Sequence, residues 1–91
     1  MSKFKKGDQV KVTQITDVDA EPGKPGRIIT DPTHEYTMDW RNPPQTLIGQ
    51  IGIVIEPSMN DYYDCMVRFP WNAENEDMAM VNDDLELVDN G

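Results

Sequence analysis

Apolar and polar residues alternate along this chain in short stretches, and turn-forming residues separate the stretches. After the turn signal Lys6-Gly7-Asp8, Val10 and Val12 alternate with Gln9 and Lys11, which predicts a half-buried strand reaching Ile15 or Thr16. Ile51, Ile53 and Ile55 share one face of a second strand, within Gly49-Gln50-Ile51-Gly52-Ile53-Val54-Ile55. Beyond a turn at residues 57–61, Tyr63, Cys65, Val67 and Phe69 alternate with Tyr62, Asp64, Met66 and Arg68. This is the clearest strand, with Cys65 facing inward, and it forms a hairpin with the strand before it. Met78-Ala79-Met80-Val81 is a further short strand, and Asn82-Asp83-Asp84 is a turn or the start of a 3₁₀ turn. Leu85 and Leu87 point inward on a last strand.

Residues 17–47 break this rhythm. Pro22, Gly23, Pro25 and Gly26 exclude any regular element, and Asn42-Pro43-Pro44 interrupts the chain again. Between them, Arg27-Ile28-Ile29-Thr30 reads as a brief strand, and His34, Tyr36 and Met38 alternate as another extended piece. The segment is too long for a plain connection and predicts a long loop with small hairpins of its own. No stretch carries a helical repeat. The chain is therefore read as all-β, one domain over residues 1–91, with about five to six short strands closing into a small barrel. Closure would also remove exposed sheet edges.

Four segments carry a family likeness. Lys6-Gly7-Asp8-Gln9-Val10-Lys11-Val12 resembles the opening strand of bacterial and phage SH3-like barrels with a KOW-like signature. Ile48-Gly49-Gln50-Ile51-Gly52-Ile53-Val54 looks like their glycine-bearing turn into the second long strand, Val67-Arg68-Phe69 like the next, and Asp84-Leu85-Glu86-Leu87-Val88 like the closing one. Gly7 and Gly49 suit turns of positive φ, while Gly52 suits a close strand approach. The resemblance implies an SH3-like barrel whose 17–47 segment stands where the RT loop does, bordering the ligand groove. KOW domains keep their glycine-bearing pieces close in sequence. Here Val12 and Gly49 lie far apart.

Charge narrows the function. Residues 1–55 carry seven acids and seven bases, whereas residues 56–91 carry ten acids against Arg68 alone. Such a surface repels phosphate and favours a partner protein with a basic surface, so nucleic acid is disfavoured as a ligand. An acidic surface of this kind also serves simply to keep a small protein dispersed. A lone cysteine fits a reducing compartment. The basic opening residues lead into no apolar run, and no stretch is long enough to span a membrane, which together give a cytoplasmic expectation.

The candidate contact residues fall in two groups. Tyr36, Trp40 and Arg41 in the insertion are the residue types that anchor interfaces, and Tyr62 and Trp71 could extend them. Alternatively, Tyr36 and Trp40 fold back to cap the barrel end. Glu74, Glu76, Asp77, Asp83 and Asp84 could imitate a row of phosphates, as in a phage-type inhibitor of a nucleic-acid enzyme. A base-stacking role for Tyr62 and Trp71 lacks neighbouring cations, and Lys3, Lys5, Lys6 and Lys11 are the one basic cluster. His34 near Asp31, Glu35 and Asp39 is a thin metal set, and residues 72–84 lack EF-hand spacing. Cys65 reads as a core residue rather than a nucleophile paired with His34. The sequence thus predicts a non-catalytic binding module or small regulator without metal or cofactor. The alternative is a KOW-like nucleic-acid-binding domain.

Overall fold

The alternation at Gln9–Val12 produces the strand on which the fold is organised. In a computed structural model describing residues 4–17, 26–39, 43–58, 63–72 and 77–88, this strand, β1, buries Val10 and Val12 completely or nearly so. It is flanked on one side by β6 (Ile51–Glu56) and on the other by β9 (Leu85–Leu87). From β6 a meander continues through β7 (Cys65–Arg68) to β8 (Met78–Met80), giving one antiparallel sheet of order β8-β7-β6-β1-β9. Val54, Cys65, Val67, Phe69, Met80 and Leu85 complete the core with Phe4 and Leu47.

The predicted glycine roles hold. Gly7 and Gly49 sit at φ of 94° and 91°, a region that costs other residues strain. Gly52 is buried against the neighbouring strand, where Val67, the Arg68 carbonyl and Phe69 occupy the space of a side chain.

Two expectations change here, barrel closure and an inward Leu87. The sheet does not close into a barrel: β8 and β9 are its two ends among the described residues. Val81 and a 3₁₀ turn at Asn82–Asp84 bend the chain between them, so the two strands never run side by side. The turn itself is as predicted. Leu87 is 56% exposed although Leu85 is buried and Val10, opposite Leu87, is a core residue; β9 is an edge strand with no strand on its far side among the described residues. The isoleucine row of β6 faces outward. Gly52 and Val54 pair with Val10 and Val67 on the core side, leaving Ile51 and Ile53 44% and 43% exposed. A bulge at Ile55 then shifts the register before Glu56.

The insertion forms small strand pairs of its own, as expected, but the first strand stops at Val12 and does not reach Ile15 or Thr16. Instead β2 (Ile15–Asp17) pairs with β3 (Arg27–Ile29), and β4 (Met38–Asp39) pairs with β5 (Gln45–Thr46), so the described strands number nine rather than five to six. The His34-Tyr36-Met38 alternation does not mark a strand. Residues Glu35–Thr37 form a 3₁₀ turn capped by His34, whose Nδ1 accepts the Tyr36 amide at 3.0 Å. No described helix is long and apolar enough to cross a membrane.

Cys65 lies in the core as predicted, with its thiol directed at the Met80 carbonyl at 3.9 Å. Desolvation first, then Asp64 nearby, pushes the thiol up to about 11, so it stays protonated at neutral pH. We expect no reaction with a thiol-specific disulfide reagent in native buffer and full reaction in denaturant. Rapid native labelling would show that the strand opens readily.

Candidate functional site

Asp84 determines where the insertion meets the sheet. Its backbone carbonyl accepts from the Thr13 amide at 2.9 Å and the Thr13 hydroxyl at 3.3 Å. Its carboxylate accepts from the Thr16 amide at 2.8 Å, the Thr16 hydroxyl at 2.6 Å and Gln14 Nε2 at 3.3 Å. One residue of the C-terminal third thereby fixes the whole stretch entering the insertion. Burial raises the Asp84 carboxyl above its ordinary value, opposed by the Thr16 and Gln14 hydrogen bonds and aided by neighbouring Asp83.

This clip leaves a small cleft of about 140 Å³ between insertion and sheet. Ile15 and Thr16, just before the insertion, and Tyr36 and Leu47 within it line one side, and Tyr63, Met78–Val81 and Asp84 the other. Tyr36 is 49% exposed at its edge, braced edge-on by the His34 ring at 5.2 Å. Thr37, fully buried, holds the turn below through hydroxyl bonds to the Asp31 and His34 carbonyls. Glu35, Asp64 and Asp83 each adjoin a lining residue in sequence, and the Asp64 carboxylate accepts from the Asn82 amide at 2.7 Å.

The predicted contact residues divide clearly. Tyr36 stands at the cleft, and Asp83 is exposed on the 3₁₀ turn, next in sequence to the lining residue Asp84. Asp84 is not a surface phosphate substitute: it is 3% exposed and its carboxylate is occupied by the insertion. Asp77 is likewise held, accepting from Arg68 Nε at 2.6 Å and Nη2 at 3.2 Å with its side chain 13% exposed. Trp71 is half-buried. It stacks on Phe69 at 5.5 Å, donates its indole N–H to Gln50 at 2.6 Å, and lies past the other end of β7 from Tyr63. Trp40, Arg41, Tyr62, Glu74 and Glu76 lie outside the described residues. Among the described residues no group of three or more His, Cys, Asp or Glu side chains is placed to hold a metal ion.

Sequence reasoning missed Tyr63 as a cleft residue, because alternation assigned it to the core; it is only half-buried. It also missed Leu47 and Thr16 as lining. A signal was present in the clustering of Thr13, Gln14 and Thr16, donors that need an acceptor if the strand is partly buried. No protein family, curated protein or solved structure matches the chain.

Proposed function

We propose that this chain is a non-catalytic protein-interaction module of SH3-like architecture. In this reading it takes a basic segment of a partner protein at the cleft between residues 17–47 and the C-terminal third. The observation carrying this reading is that the insertion and the acidic third build one cleft jointly, with Tyr36 exposed at its edge. The architecture is supported by the order of the sheet. The long insertion follows its first strand, where the RT loop would stand, and the closing strand returns to pair with that first strand. An aromatic anchor with a rigid backing, beside a C-terminal third rich in acids, suits a partner side chain that is apolar along its stem and cationic at its tip.

The test is capture of partners from nuclease-treated bacterial lysate at low and high salt, followed by titration of the partner identified. Tyr36→Ala is expected to weaken that partner roughly 30-fold, equivalent to the roughly 2 kcal/mol of an interface anchor, without changing the thermal midpoint. Binding should also weaken with salt. Undiminished binding by a folded Tyr36→Ala protein would remove the cleft from the mechanism. Retention of nucleic acid in place of protein in untreated lysate would favour the KOW-like alternative.

A further inference from the structure

The outward isoleucine row lies on the opposite face of the sheet from the core and takes no part in the cleft. Ile51, Ile53 and Ile55 line a groove of about 550 Å³ with Gln9, Arg68 and Pro70. Antiparallel sheets of small domains ordinarily turn a polar face to water, but β6 is apolar on both sides. An apolar strip of this kind at the centre of a sheet marks a contact surface.

Charge indicates what covers it. The outer face carries Lys11 opposite Glu86, and Arg68 bonded to Asp77, with Glu56 beyond the bulge. These residues sum to one negative charge of the chain's nine. The other eight of the nine excess negative charges lie off this face, so two copies that meet here do so with little like-charge repulsion. The register permits a symmetric fit. Lys11 stands beside Ile51, and Gln9 beside Ile53, in neighbouring cross-strand rows. A twofold axis running across the strands between those rows seats Ile51 of each copy on Ile53 of the other and places Lys11 opposite Gln9. No like charges are opposed at that centre.

We infer that the outer face of β6 is a self-association surface, and that the protein forms a face-to-face homodimer through Ile51 and Ile53. The dimer leaves the Tyr36 cleft free, so this inference stands independently of the proposed partner binding.

Sedimentation velocity over a range of protein concentrations tests it, using the full chain and the double variant Ile51→Thr/Ile53→Thr. Threonine keeps the β-branched shape that suits a strand while removing the apolar surface. The wild-type mass is expected to double with rising concentration, and added salt should leave the association intact or strengthen it as residual repulsion is screened. The variant, with an unchanged circular dichroism spectrum, is expected to stay at monomer mass throughout. A wild-type chain that remains monomeric at the highest concentration would overturn the dimer, including the case in which another protein or an apolar small molecule occupies the face. A folded double variant that dimerises as the wild type does would overturn the assignment to β6.

Discussion

Asp84→Ala is expected to lower unfolding free energy by about 2–3 kcal/mol, the range for losing hydrogen bonds to a charged acceptor and stranding a backbone donor. A chain of 91 residues has roughly 5–14 kcal/mol in total, so this is a large fraction. The Thr16 amide loses its acceptor, the Thr16 hydroxyl and Gln14 lose theirs, and the insertion loses its anchor on the 3₁₀ turn. Urea titration measures the loss, and faster hydrogen exchange at Thr16 locates it. Asp84→Asn keeps one carbonyl acceptor and should cost less.

The pH dependence separates the two variants further. Burial raises the Asp84 carboxyl in the folded protein above its value of 3.8, so the folded state holds this proton more tightly than the unfolded state. Ionisation therefore costs stability at neutral pH, and that cost is relieved as pH falls through the folded value toward 3.8. Measured against Asp84→Asn, which cannot ionise there, the wild type should gain relative stability as pH is lowered through that window. A relative loss over the same range would mean that the hydrogen bonds outweigh burial and that the carboxyl is depressed instead.

Gly52→Ala is the second large effect. A Cβ there would stand 2.6 Å from Val67 Cγ1, 2.9 Å from the Arg68 carbonyl oxygen and 3.0 Å from Phe69 Cδ1. The carbonyl belongs to the paired strand and cannot rotate away, so the sheet must shift, at about 2–3 kcal/mol for overpacking. Val67→Ala relieves the nearest clash but leaves the carbonyl. The double variant should therefore be more stable than the sum of the single changes predicts, yet less stable than Val67→Ala alone. Full additivity in urea unfolding would show that the two sites do not touch.

These two residues also show what was legible in the sequence. Gly52 was readable as a point of close approach because glycine inside a strand has few other uses. The isoleucines beside it were readable as sharing one face, but not as the outer one. Gly52 and Val54 form a second row with no polar residue, and period-two alternation cannot choose between two apolar rows. The choice is made by Val10 and Val67, which lie across the pairing from Gly52 and Val54. Asp84 looked like one acid among many in an acidic tail. Its acceptors serve residues about 70 positions earlier, and no local pattern announces a pairing that distant. His34, Tyr36 and Met38 misled for the opposite reason: alternation over three residues is too short to separate a strand from a 3₁₀ turn, and a side-chain cap decided it. Trp71 was readable as an interface type of residue, but not its bond to Gln50, which lies 21 positions away and leaves no local pattern.

The pairing of β1 with β9 sets how this domain responds to mechanical load. The two strands are antiparallel, with Val10 opposite Leu87 and the Val88 amide bonded to the Gln9 carbonyl at 2.9 Å. The outer ends of both strands thus emerge at the same place. A force pulling residues 8 and 88 apart meets those hydrogen bonds one after another, as a zipper, rather than all at once in shear. Tension transmitted through the chain would peel β9 from the edge of the sheet first. That also takes Asp84 off Thr16, so the cleft is dismantled before β6 and β7 separate.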